Sequence, residues 1–106
     1  FFRNRKLLVI GGGDSAVEEA IFLTQFADEV VIVHRRDELR AQKVIQDRAF
    51  ANPKISFIWD SVVEEIVGDN MMMSGAIIRN VKTEEVHEEK AGGIFIYGIR
   101  SFNGSV

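Results

Sequence analysis

Cysteine is absent from this sequence, proline occurs once, and no apolar run comes near the length of a membrane span. Without cysteine there is no disulfide scaffold, no thiolate metal site and no thiol chemistry carried by these residues. A membrane helix needs roughly 20 apolar residues, so no membrane association through a spanning helix is expected. The formal charge of −3 and a pI near 5.4 speak against a broad basic surface, and so against nucleic acid as a partner. What is present is an ordinary globular composition, 46% hydrophobic and 27% charged, which excludes disorder, collagen and coiled coil. The 106 residues predict one domain, 1–106, around a single core. The chain opens Phe1-Phe2-Arg3-Asn4 with neither methionine nor a signal-like pattern, and the expectation is a piece of a longer protein.

Lys6-Leu7-Leu8-Val9-Ile10 is a nearly continuous apolar run, the pattern of a parallel strand buried on both faces. It runs into Gly11-Gly12-Gly13-Asp14-Ser15, after which Val17, Ala20, Ile21 and Thr24 recur at helical spacing. Asp14 or Ser15 caps this helix, and Ser15 with Glu18 fits a capping box. Val30-Val31-Ile32-Val33 predicts a second buried strand, rich in β-branched residues. A second helix is expected over roughly Glu38 to Ala51, ended by Asn52-Pro53, because proline disfavours helical geometry in the residue before it. Ile55-Ser56-Phe57-Ile58-Trp59 is a third strand, with Trp59 packing in the core or at the strand end. Short crossovers of this kind force the strands parallel.

The remainder changes character. Val62 to Val67 breaks at Gly68-Asp69-Asn70, and Ala76 to Val81 is followed closely by Val86 to Glu89, which predicts an antiparallel meander. Met71-Met72-Met73 reads as a flexible turn with a methionine filling a gap. Glu84-Glu85 and Glu88-Glu89 predict a solvated edge, and Gly93 to Tyr97 returns to a parallel-type strand. The fold class is α/β: a Rossmann-like three-layer domain whose parallel sheet carries an antiparallel β-meander.

Gly11-x-Gly13-x-x-Ala16 lies directly after a strand and directly before a helix. The first glycine allows a tight turn, the second lets a phosphate approach the backbone, and the small third residue lets the helix lie close to the strand. The helix start offers unpaired N–H groups and a positive dipole end to a pyrophosphate. Candidate binding residues are therefore Gly11, Gly12, Gly13, Asp14 and Ser15. The Asp14 carboxylate should repel a phosphate, and its expected role is to hold the loop through backbone hydrogen bonds.

A unit of this type that binds NAD carries an acid at the end of the second strand for the ribose 2′-hydroxyl. Here that place holds His34-Arg35-Arg36-Asp37-Glu38-Leu39-Arg40, and across residues 34–43 four cations face two acids. Guanidinium groups bind a 2′-phosphate through forked, charge-assisted hydrogen bonds, which predicts NADPH rather than NADH. Arg35, Arg36 and Arg40 are the candidates. His34 either stacks beside the adenine or touches the phosphate, or is simply a partly buried strand-end residue. His87 has no cysteine or second histidine at ligand spacing, so no metal is expected, and no residue stands out as catalytic.

Gly11 to Ala20, followed by Val33 to Ala41, resembles the NADPH domain of the low-molecular-weight thioredoxin reductases, in the pyridine nucleotide-disulfide oxidoreductase family. The similarity extends through Ile45 to Ala49, Asn52 to Ile55 and Val62 to Ile66, and less tightly to Tyr97. The resemblance implies a domain inserted into an FAD domain of the same polypeptide. Hydride would pass from NADPH to the flavin, then to a redox-active cysteine pair lying upstream of Phe1, then to thioredoxin or a related disulfide protein. It further implies that Gly11 to Ser15 hold the pyrophosphate, that Arg35, Arg36 and Arg40 hold the 2′-phosphate, and that FAD is not bound by this chain. The complete enzyme would be a cytoplasmic homodimer, and this chain alone would bind nucleotide without turnover. The segment Gly98-Ile99-Arg100-Ser101-Phe102-Asn103 lacks the proline usual in the family, and Glu84 stands where a turn glycine is common. The competing reading is a stand-alone NADP(H)-sensing module that changes its association with a partner.

Overall fold

The computed structural model describes residues 2–69 and 72–97. Nine elements follow in order: β1 (Phe2–Ile10), α1 (Asp14–Leu23), β2 (Ala27–Val33), α2 (Lys43–Phe50), β3 (Ile55–Ile58), β4 (Ser61–Asp69), β5 (Met72–Asn80), β6 (Val86–Lys90) and β7 (Gly93–Ile96). They form a four-stranded parallel sheet in the order β3-β2-β1-β7 and a three-stranded antiparallel sheet in the order β4-β5-β6. The parallel sheet and meander expected from the sequence are both present.

The period-two alternation of a strand, with both faces covered, explains why Leu7 to Ile10 of β1 and Val30 to Val33 of β2 are continuously apolar. Leu7, Val9, Val30 and Ile32 face the helices and pack with Ala16, Val17, Ala20, Leu23, Ile45 and Ala49. Their neighbours Leu8, Ile10, Val31 and Val33 face the other way and pack with Ala76, Ile78 and Ala91 of the antiparallel layer. Helices, parallel sheet and meander are thus three layers, and Leu7 to Ile10 of β1 are covered on both faces and both edges. Each large side chain buried in this way contributes about 1.5–3 kcal/mol.

The expected helix from Glu38 to Ala51 is shorter in the structure, starting only at Lys43. The reason is tertiary. Leu39 and Ala41 are buried while Arg40 between them is exposed, the alternation of an extended segment rather than a helix. Its far end follows the expectation: Ala51 is the C-cap and Asn52-Pro53 follows. Asn52 Nδ2 donates to Thr24 Oγ1 at 3.2 Å and Lys54 Nζ to the Thr24 carbonyl at 3.0 Å, which ties the ends of the two helices together.

In the meander, β4 continues through the expected break as far as Asp69, and Met72 and Met73 open β5. Asn70, Met71 and the segment from Gly98 onward lie outside the described residues. The acidic edge is exposed at Glu84, Glu85 and Glu88 but not at Glu89. Lys6 Nζ donates to Glu89 Oε2 at 2.5 Å, joining β1 of one sheet to β6 of the other, and His87 Nε2 lies 2.9 Å from Glu89 Oε1. Burial alone would raise the Glu89 pKa; the hydrogen bonds and charges of Lys6 and His87 outweigh it and hold the carboxyl below its ordinary value.

A carboxyl whose pKa is lower folded than unfolded stabilises the protein above the unfolded value, about 4.3 for glutamate, and loses that effect as pH falls through the folded value. Glu89→Gln should therefore cost about 1–3 kcal/mol at neutral pH. The gap from wild type should close as pH drops below about 4. Urea unfolding of both proteins across that range measures it, and a pH-independent gap would refute the assignment.

Candidate functional site

β1 and β2 are adjacent and in register, Ile10 opposite Val33, so the loops that follow them leave the sheet side by side. Gly11 extends the pairing by one bond, its N–H donating to the Val33 carbonyl at 2.9 Å, and then turns with φ +135°. A Cβ there would lie 2.9 Å from the Tyr97 carbonyl and 3.1 Å from the Ala16 Cβ. Gly12 is closed for a different reason: the His34 ring occupies the place of a Cβ, with its atoms 2.6–2.7 Å away. Gly13 is open, with nothing within 4 Å of a Cβ position.

Gly13 is also the N-cap of α1, in extended geometry and with no side-chain cap. The expected capping box of Ser15 and Glu18 is therefore not formed, and the cap lies one residue before Asp14 and two before Ser15. The first-turn N–H groups of α1 have no intrahelical acceptor, and the space in front of Gly13 gives an anion access to them. Ser15 is exposed at this end of the helix.

The second loop is held against the first by a clasp. The Arg40 N–H donates to the Gly12 carbonyl at 2.7 Å. Two residues on, the Asp14 carboxylate accepts from both the backbone N–H of Gln42, at 2.8 Å, and its side-chain amide, at 3.2 Å. Asp14 thus holds the neighbouring loop rather than its own. Leu39 and Ala41 anchor the segment in the core, and Gln46 Nε2 donates to the Ala41 carbonyl at 2.7 Å. Between these anchors Arg35, Arg36 and Arg40 are exposed. Among the described residues, none of the ion pairs engages these three guanidinium groups.

The arginines line an open cleft of about 430 Å³ with Asp37, Glu38, Leu39, Asp60 and Lys82. His34 is elsewhere: it is 5% exposed, with its ring beneath Gly12. Burial lowers its pKa, and the charges of Arg40, Arg36 and Arg35 lower it further against a backbone hydrogen bond at Glu38. The ring is neutral at pH 7 and fills the space behind the glycine loop, which favours the buried strand-end role among the alternatives left open above.

Three residues of this arrangement carry no signal in the sequence motifs: Gln42, Asp60 and Lys82. Asp60 stands just beyond β3, at the carboxyl end of the sheet where ligands of such folds bind. That position could have pointed to it. Lys82 arrives from the turn between β5 and β6, on the other layer, and only the packing of the two sheets places it here. Among the described residues there is no group of three potential metal ligands and no helix long and apolar enough to cross a membrane.

The family model for pyridine nucleotide-disulphide oxidoreductases matches residues 6–84, a span that contains both loops of the clasp. The chain belongs to that family. Among curated relatives, thioredoxin reductase of Listeria monocytogenes is 55% identical over 97 residues, covering 92% of the chain and 30% of the relative. The thioredoxin reductase of Streptomyces coelicolor is 56% identical over 96 residues, covering 91% and 30%. The crystal structure of thioredoxin reductase from Streptococcus pyogenes superposes with a TM-score of 0.90 at 64% identity, covering 93% of this chain and 32% of that one. That from Lactococcus lactis gives 0.89 at 62%, covering 92% and 32%. The chain thus spans about a third of the length of these relatives, and its Rossmann-like fold is theirs.

The three glycines separate structural from binding roles. Gly11→Ala should cost about 1–3 kcal/mol through its positive φ and blocked Cβ. Gly13→Ala should change stability by less than about 1 kcal/mol, yet place a methyl group where an anion would approach. Denaturant midpoints and nucleotide titrations of both variants measure the contrast. A Gly13→Ala protein that binds nucleotide like the wild type would remove this loop from the site.

Proposed function

We propose that this chain binds NADPH, with the dinucleotide lying across the clasp. The observation that carries the reading is the bond between Arg40 N–H and the Gly12 carbonyl, because it fastens a helix N-terminus suited to a pyrophosphate beside three exposed arginines suited to a 2′-phosphate. The residues fit such a group. Gly13 leaves the helix end open, Asp14 is turned aside by Gln42, and no carboxylate occupies the place where an NAD site keeps an acid for the ribose. Gly11, Gly12, Gly13, Asp14 and Ser15 form the pyrophosphate loop, Arg35, Arg36 and Arg40 hold the 2′-phosphate, and His34 supports the loop from behind.

When bound, NADPH supplies a hydride. The chain's own part is to bind and orient the dinucleotide, and none of its residues is assigned to the chemical step. The relatives are thioredoxin reductases three times as long, so the wider reading places this chain as one domain of such an enzyme. In such an enzyme FAD, held by another domain of the same polypeptide, and a cysteine pair would supply the onward redox chemistry toward thioredoxin. That enzyme would be a cytoplasmic homodimer.

Titration with NADPH and NADH, followed through the single tryptophan, Trp59, tests the reading. NADPH should bind at least tenfold more tightly, since charge-assisted hydrogen bonds contribute about 1.5–3 kcal/mol each. Arg35→Ala combined with Arg36→Ala should remove about 2–4 kcal/mol of NADPH affinity and leave NADH nearly unchanged. Equal affinity of the wild type for both nucleotides would sink the assignment.

A further inference from the structure

Lys82 lines the same cleft as Arg35, Arg36 and Arg40, but it comes from the antiparallel layer, whereas the arginines share one loop of the parallel layer. Its ammonium lies 3.5 Å from Asp60 Oδ1. Asp60 is tied to both sides. Its N–H donates to the Arg36 carbonyl at 3.1 Å, and its carbonyl accepts from the Val81 N–H at 2.7 Å, so its backbone bridges the arginine loop and the turn carrying Lys82. Its φ is +54°, a region that residues other than glycine enter rarely, aspartate and asparagine more readily than most. Its Oδ1 is buried and accepts no hydrogen bond, which leaves the Lys82 ammonium as its charge partner.

We propose that Lys82 is a fourth cation of the cleft, recognising a phosphate monoester on the ribose 2′ position together with the three arginines, and that Asp60 is the positioning residue that holds it there. The inference rests on the NADPH reading above and adds a specificity residue that the glycine and arginine motifs do not contain. Three guanidinium groups on one loop approach an anion from one layer. A phosphate has acceptor oxygens on every side, and a lysine on the opposing layer supplies a charge from a second direction. The Lys82 side chain is 62% exposed while that of Asp60 is 19% exposed, so a half-buried carboxylate tethers a cation whose stem is free to turn. An ion pair of this kind is weak, which lets the ammonium be shared with an incoming dianion. A ribose hydroxyl offers no charge to compete for it, so the arrangement discriminates between the two nucleotides.

Adenosine 2′,5′-bisphosphate and 5′-AMP, titrated against the full chain, differ by the group in question. The wild type should prefer the bisphosphate. Lys82→Ala should weaken it about two- to tenfold and leave 5′-AMP unchanged, while Lys82→Arg retains most of the preference. Asp60→Asn keeps a side chain suited to φ +54°, so it should fold with an unchanged melting temperature. It should show a loss like that of Lys82→Ala, and add nothing in the Lys82→Ala background, the non-additivity expected of residues acting as a pair. Unchanged bisphosphate affinity in Lys82→Ala overturns the role of Lys82. Tighter bisphosphate binding by Asp60→Asn in both backgrounds overturns the positioning role, because the carboxylate would then act only as a repelling charge. A wild type with no preference for the bisphosphate overturns the NADPH reading itself, which separates that failure from the other two.

Discussion

A single backbone hydrogen bond, from Arg40 N–H to the Gly12 carbonyl, sets the geometry on which the rest of the site depends. Residues 35 to 42 form no regular element and are exposed except at Leu39 and Ala41. Left to local preference, a segment with several good helix formers would extend α2 backwards. The bond to Gly12, with the two bonds from Gln42 to the Asp14 carboxylate, holds it extended instead. Each such bond has a modest net value of about 0.5–1.5 kcal/mol, more where a charge takes part. The three act together on one short segment, and Leu39 and Ala41 bury alongside them. Asp14 serves twice. A carboxylate in the first turn suits the positive end of α1, and its engagement with Gln42 keeps its charge from the open face at Gly13.

The clasp in turn requires the central strand. Leu7 to Ile10 of β1 are buried on both faces, by helices on one and the meander on the other, and pair with β2 and β7 at the edges. A slip of one residue would exchange the two faces of β1 and carry Gly11 away from Val33. The register Ile10 to Val33 therefore decides that the glycine loop and the arginine loop begin at one level. The meander does more than cover a face. Through Ser61 N–H to the His34 carbonyl at 2.9 Å, and through Asp60, it braces the start of the arginine loop from behind.

The parts legible in the sequence are those decided by near neighbours in the chain. Leu7 to Ile10, the glycine turn, Val17 to Ala20 and Val30 to Val33 each carry their own periodicity, so strand, helix and strand were readable with their order and direction. The start of α2 was not, because the bonds that displace it come from Gly12 and Asp14, about 28 residues away in the chain. The role of Asp14 was half legible: its conflict with a phosphate follows from charge alone, but the partner that resolves it is Gln42, which no motif marks. His34 could be placed at a strand end, and only packing shows its ring in the space a Cβ of Gly12 would need. Glu89 looked like one of four solvated acids until the sheets met and set it on Lys6. Lys82 reaches the cleft by the same route, across layers.

The charges of the cleft follow a common logic. The chain as a whole is acidic, at −3, yet four cations and three carboxylates line this one opening. Had the cations stood alone, their mutual repulsion would oppose folding of a loop held by only a few bonds. Asp37, Glu38 and Asp60 relieve that repulsion without forming ion pairs with the arginines among the described residues, so the guanidinium groups keep their donors free. His34 lies behind the same loop, where a protonated ring would add a fifth charge to the cluster. Burial, reinforced by the neighbouring arginines, keeps it neutral, and a neutral ring sits against the Gly12 backbone without adding charge to the loop above. Under the proposed NADPH reading, the selectivity of the site would be a difference between two affinities. On the proposed reading, a dianion would replace the neighbouring carboxylates as the main counter-charge of the arginines, whereas a hydroxyl would leave the cleft much as it was. On the NADPH reading proposed above, binding strength beyond that shared by both nucleotides would arise in this cleft, from the arginine loop and from Lys82 opposite it.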